Sequence, residues 1–419
     1  MICVNCVAPK SLRKLFEKSH AIGECKYCGH KGAGMELREL FGYIYDRVRE
    51  NVIRDIDLTD VEQGFIYFGK SDEILIGDVC NVLGDYFMLY NEPYFIDICA
   101  AVPAELQSDD RGESDTNYCC DNGTLTLNYY ERRWRDFVKN VRHKRRYFNK
   151  SAEDFLDDAF SVLVNDDKQL KSDVIRTIPH GDLLFRARYA QDETSAKEIA
   201  NNLDLQFGPA PESLTGNQRM TPNGVSALYC ALDPNTCLSE IRSITGDHVV
   251  TVALTPISEL KLLDLTVLDQ VEPPALTPLD EGFRNSWHRK AFLDSLVDKM
   301  SLPKARNDEL SYLSTQVVFE YLKLRFGEYM DGLVFPSVQT GRKGTNVVIF
   351  PEASRVSSTP IADPDSEDAL SELPAKLRVL PDTLRFHKIT SIETTSQVEK
   401  HFENLLTSDR NTKGWPWYS

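Results

Sequence analysis

The chain has 419 residues, 42% hydrophobic and 10% aromatic, with a formal net charge of -16 at pH 7. That length exceeds one ordinary core and predicts two or three domains, while the composition excludes a disordered chain. The acidic balance excludes coating of nucleic acid or anionic membrane by the surface at large, though not a local basic patch.

The first 30 residues carry Cys3-x2-Cys6 and, eighteen residues later, Cys25-x2-Cys28. Two such knuckles match a zinc-ribbon pattern, and Gly29 follows the second, where the turn tolerates a positive φ. Four thiolates close a tetrahedral shell, so the expected zinc is structural, held by Cys3, Cys6, Cys25 and Cys28 over residues 1–34. The start, MICVNCVAPKSLRK, lacks the apolar stretch of a secretion signal, and no run approaches membrane-span length. The expected location is therefore the cytoplasm, where the other six cysteines are buried small hydrophobes.

Residues 35–172 are expected to form a mostly α-helical domain. Leu37, Leu40, Phe41, Ile44, Tyr45 and Val48 recur at helical spacing, and 74–91 and 153–170 also read as helices, the latter with Ser151 as N-cap. Within it, 131-ERRWRDFVKNVRHKRRYFNK-150 sets Trp134, Phe137, Val138 and Val141 on one helical face and basic residues on the other. Nucleic-acid binding and a solvated face paired with acidic surface both fit, and the second is favoured. Arg13 and His20 have the Arg-x4-6-His spacing of some helical RNases, but they lie in the ribbon loop, so no nuclease chemistry is assigned.

From about 179 the pattern becomes α+β. Strands are expected at 183–190, 225–232, 248–256, 260–266, 332–338 and 346–351, with helices from 234 and over 283–326. The segment 183-LLFRAR-188 has Arg186, Arg219 precedes 228-LYCA-231, and Glu240 lies on the following helix. Thr315-Gln316, Pro336-Ser337 and Asn346 before an apolar strand follow in order. Over about 179–352 this series resembles the RES domain family, named for Arg, Glu and Ser. One segment departs from the family pattern: 217-NQRM-220 keeps the arginine but not its usual flanks. The front half is similar to the zinc-ribbon-bearing, HEPN-like helical domains attached to some RES domains.

The resemblance implies an ADP-ribosyltransferase-like fold and cleavage of the nicotinamide–ribose bond of NAD+, by hydrolysis or phosphorolysis, in a toxin or defence effector. It implies Glu240, Arg219 and Tyr229 as catalytic residues and Arg186, Ser337, Asn346 and Gln316 as NAD+-binding ones. A carboxylate suits an oxocarbenium-like transition state, and guanidinium forks suit a diphosphate. An antitoxin or regulatory protein and a homo-oligomer are the implied partners. The rivals are a nucleic-acid-binding or scaffolding protein with an inactive RES-like part, and ADP-ribose transfer to a macromolecule. Residues 353–419 are expected to be a linker, rich in Ser, Pro and Asp, followed by strand-like 384–394 and helical 396–406.

Overall fold

Ala21–Glu24 (β1) and Lys31–Gly34 (β2) form an antiparallel hairpin that the Ile2↔Met35 bridge extends, bringing the first knuckle against the second. This is a computed structural model, and it describes residues 1–59, 62–64, 74–107, 117–120, 129–165, 167–301, 310–357 and 374–392. Helix Leu37–Asn51 (α1) follows, and Leu40, Phe41, Ile44, Tyr45 and Val48 are buried, as their spacing predicts. They share one core with the ribbon and with residues 79–106.

The expected helix over 74–91 is shorter. Asp78 accepts a hydrogen bond from the Asn81 N–H and starts the helix there, after strand Ile76–Gly77. The turn Val82–Tyr86 then closes with π geometry. Gly84 sits against the Tyr90 ring, where a Cβ would come within 2.5 Å, so the chain turns back on itself instead of continuing the helix. A three-stranded sheet absent from the sequence reading joins Val52–Arg54 (β3), Ile76–Gly77 (β4) and Tyr118–Cys120 (β5) in the order β3-β5-β4. Alternation along β5 sends Cys119 to a small cluster with Ile53, Leu58 and Ile74, and Cys120 to the ribbon core, which accounts for the adjacent pair.

Helices Tyr129–His143 (α2) and Lys150–Phe160 (α3) pack through Trp134, Phe137, Val141, Phe155 and Leu156 into the core of the C-terminal sheet. The cap of α3 is Asn149, whose side-chain oxygen accepts from the Ala152 N–H at 3.2 Å. Ser151, the expected cap, lies inside the first turn and donates to that same oxygen at 2.8 Å.

The C-terminal half is built on a nine-stranded mixed sheet. Its strands are β6 (Ile175–Ile178), β7 (Leu184–Ala190), β8 (Leu228–Ala231), β9 (His248–Pro256), β10 (Leu260–Asp264), β11 (Gly332–Pro336), β12 (Thr345–Ile349), β13 (Val356–Ser357) and β14 (Leu377–Lys388). Their order is β13-β14-β9-β7-β8-β12-β11-β10-β6. β9, β11 and β12 are buried almost throughout because both faces are covered, which is why they read as unbroken apolar runs. Helices Glu193–Asn201 (α4), Leu203–Phe207 (α5), Pro234–Glu240 (α6), Phe283–Ser301 (α7) and Leu313–Phe326 (α8) flank the sheet. The class is α+β, as expected. Of the strand-like 384–394, residues 384–388 form the end of β14, which pairs with β9 through a register shift between Leu380 and Arg385, and residues 389–392 are not strand. The expected helix 396–406 lies outside the described residues.

The turn between β11 and β12 lies directly on α6. A Cβ on Gly344 would fall 1.8 Å from the Thr236 hydroxyl, and Thr236 is buried and bonded to Asp233, the α6 cap. Gly344→Ala is therefore expected to destabilise the chain by about 1–3 kcal/mol through overpacking, read as a lower midpoint in chemical denaturation. Gly341→Ala, with open space but φ 62, is expected to cost less, about 1 kcal/mol of backbone strain.

Candidate active site

β7 and β8 pair at one position, Phe185↔Ala231, and then diverge, β7 running along β9 and β8 along β12. The split opens a cavity of about 470 Å³, within the range of small-molecule sites. Arg186, Arg188, Tyr229, Cys230, Glu240, Arg219, Arg242, Tyr312 and Asn346 are among its lining residues.

Arg186 leaves β7 just past the last shared pair. It is 7% exposed, and its Nε and Nη1 have no hydrogen-bond partner among the described residues. Burial, and then the neighbouring Arg188, push its pKa down to about 9, so the guanidinium stays charged near neutral pH. A buried cation with open N–H groups in a cavity wall is a ready partner for an anion. Arg188 is two residues on and so on the same strand face, and its Nε donates to the Gln206 carbonyl at 2.6 Å.

Glu240 is the last residue of α6. A carboxylate there faces the negative end of the helix dipole, and two donors offset this. Its Oε1 accepts from the Ser337 hydroxyl at 2.5 Å and from the Asn346 side-chain amide at 2.7 Å. Ser337 is wholly buried and Asn346 nearly so, so both donors are fixed. Ser337 and Asn346 thus act on Glu240, which differs from the direct ligand contacts expected of them.

Arg219 lies on the segment entering β8. Its Nη1 donates to the Met300 carbonyl at 3.0 Å, and its guanidinium lies 5.2 Å from the centre of the Tyr312 ring. The backbone beneath it is held from α8: Thr315 donates to the Arg219 carbonyl at 2.8 Å, and the Gln316 amide reaches Asn217, the Gln218 carbonyl and the Thr221 carbonyl. Gln316 therefore braces the loop from behind. The Tyr229 hydroxyl accepts from the Met220 N–H at 3.1 Å, and burial raises its pKa to about 12. Its oxygen serves the loop and its ring faces the cavity.

Of the residues chosen from sequence, Arg186, Arg219, Tyr229, Glu240 and Asn346 thus line one cavity, Ser337 reaches it through Glu240, and Gln316 stands behind its wall. Arg188, Tyr312 and Arg242 were not singled out. Arg188 was within reach, because two arginines two apart on one strand share a face. Arg242, just past the α6 C-cap, has φ 56, a left-handed conformation that glycine usually takes. Nothing in the sequence marks it.

In the ribbon, the four cysteine sulfurs lie within 4.8 Å of one another, Cys3 to Cys28 at 3.5 Å and Cys6 to Cys25 at 3.8 Å. Four sulfurs about 2.3 Å from a tetrahedral ion would be about 3.8 Å apart, so the donor set fits such a metal. Burial works against ionisation of Cys25, yet the backbone N–H groups of Cys3, Cys28 and Tyr27 bring its pKa down to about 6.

An unpaired buried charge costs stability. Arg186→Met is expected to raise stability by about 1–3 kcal/mol without ligand. Inorganic pyrophosphate should raise the melting temperature of the unaltered protein and not that of Arg186→Met. Thermal melts with and without pyrophosphate check both.

No curated protein matches the chain. A protein-family model does: residues 185–370 match the RES domain, a span that begins on β7 and takes in every lining residue named above. Over that span, a little under half of its length, the chain is similar to a RES domain.

Proposed function

We propose that the RES-like domain cleaves the nicotinamide–ribose bond of NAD+. The observation that carries this reading is the meeting, in the lining of one cavity, of a clamped carboxylate, Glu240, and an arginine, Arg186, with open buried N–H groups. The diphosphate would lie against Arg186 and Arg219, where planar forks meet phosphate oxygens two at a time. The nicotinamide ring would stack on Tyr229 or Tyr312.

The bond from ribose C1′ to the ring nitrogen breaks with its electron pair going to nitrogen. That neutralises the nicotinamide cation, so no general acid is needed. Positive charge grows on the sugar, and the Glu240 carboxylate, fixed by Ser337 and Asn346, stabilises it. Water then bonds to C1′ and gives up a proton, which Glu240 can take, yielding ADP-ribose. Inorganic phosphate in place of water yields ADP-ribose 1-phosphate. An ADP-ribosyltransferase-like fold for the sheet is part of this reading, supported by the split between β7 and β8.

In the front half we propose that zinc occupies the four-cysteine site and holds the ribbon against α1. A cell must restrain such an enzyme, so a toxin or defence effector is the role that fits, with an antitoxin-like protein, self-association or the front half itself as the restraint. Among the described residues no helix is long and apolar enough to cross a membrane.

Purified full-length protein should release nicotinamide from NAD+, and Glu240→Ala should lose about 100-fold or more in kcat. Ser337→Ala should lose less, since Asn346 still holds the carboxylate. Full activity in Glu240→Gln would refute the assignment, and label from NAD+ carried onto protein or nucleic acid would show transfer instead. Comparing buffers with and without phosphate identifies the attacking group.

Elemental analysis should find stoichiometric zinc that Cys3→Ser and Cys25→Ser remove. Loss of the metal should melt the front half early and leave the chemistry of the cavity intact.

A further inference from the structure

We infer that α2 and the turn after it form a binding surface for single-stranded nucleic acid, distinct from the cavity. The apolar side of α2 is spent in the core, through Trp134, Phe137 and Val141. Its outer side exposes Arg132, Arg135, Asp136, Lys139 and His143, a stripe at helical spacing with one acidic member. At a rise of about 1.5 Å per residue the stripe is about 16 Å long. Lys144, Arg145 and Arg146 continue it, all exposed. The side chains of Arg132, Arg135, Lys139, Lys144 and Arg145 make no ion pair among the described residues, although the chain as a whole carries -16. Arg133 is different: it pairs with Asp158 and lies over Tyr129, Tyr130 and Phe155, so it belongs to the fold.

The second observation is at the end of the stripe. Tyr147 is 79% exposed and Phe148 fully so, at 103%. Phe148 also has φ 50, a conformation that costs a bulky residue about 1–2 kcal/mol. Its ring stands bare in water, so the fold recovers neither cost. Cations that track a phosphate backbone, followed by open aromatic faces on which bases stack, are the two components of single-strand recognition. A duplex keeps its bases stacked inside and offers these rings nothing. A membrane would need a broader apolar face, and that of α2 is already buried.

The test uses the full-length protein and labelled single strands of about 20 nucleotides, RNA and DNA in separate arms, read by fluorescence anisotropy. Binding is expected at about 50 mM salt, with log affinity falling against log salt at a slope of about -3 to -4 as four to six phosphates are engaged. The combined substitutions R132Q, R135Q, K139Q and R145Q should flatten that slope and weaken binding at least tenfold. Phe148→Ala should weaken it about tenfold with the slope unchanged, which a purely electrostatic contact would not show. All these side chains are exposed, so melting temperatures should hold, and nicotinamide release should be unaffected in every variant. The inference fails if neither strand binds at low salt, if the neutralised variant binds equally well, or if duplex binds as tightly as single strand. It fails equally if anionic lipid vesicles are captured while nucleic acid is not.

Discussion

The Glu240 carboxylate is the point on which the site depends. It is joined to Ser337 and Asn346, 97 and 106 positions further along the chain, and the three come from the end of α6, the turn after β11 and the start of β12. Two hydrogen bonds to one oxygen fix the side chain. They also fix α6 on the sheet, because the turn that carries Ser337 contains Gly344, pressed against Thr236. Packing and chemistry are therefore set by the same contacts: a shift of α6 that relieved the Gly344–Thr236 approach would pull the carboxylate from its donors.

The two arginines of the lining are held differently. Arg219 is pinned from several sides, by Met300, Tyr312, Thr315 and the Gln316 brace, whereas Arg186 is buried with donors to spare. One arginine arrives with its contacts made and holds the loop in place. The other keeps two buried N–H-bearing nitrogens without a hydrogen-bond partner among the described residues. The cavity exists because β7 and β8 separate after one pair. A strand that stayed in register would have used the backbone groups beside Arg186 for pairing and closed the space.

Much of this was legible in the sequence, for identifiable reasons. β9, β11 and β12 are apolar over most of their length because they are covered on both faces, and that pattern is hard to mistake. The order Arg186, Arg219, Tyr229, Glu240, Ser337, Asn346 could be read because residue types survive without knowledge of contacts. What could not be read was which side chain touches which. Ser337 and Asn346 look like ligand groups in a sequence and turn out to hold Glu240. Gln316 looks like a site residue and turns out to brace a loop. The helix over 74–91 failed because periodicity does not report the close approach of Gly84 to Tyr90. Arg242 was invisible because its place in the wall follows from a left-handed backbone, and no residue-type signal announces that in an arginine.

An acidic protein that gathers cations at two places raises the question of how an anion reaches either. At physiological ionic strength charge is screened over about 8 Å, so the net charge of -16 acts weakly on a ligand already near the surface. Within that distance local cations decide. Arg186 and Arg219 act inside a cavity, where water is scarce and screening slight, so their attraction should change little with salt. The stripe on α2 stands in open solvent and is screened as fully as any surface charge. The two places thus differ in kind: the cavity offers unmet hydrogen bonds in a confined space, while the stripe offers many separate charges in open solvent.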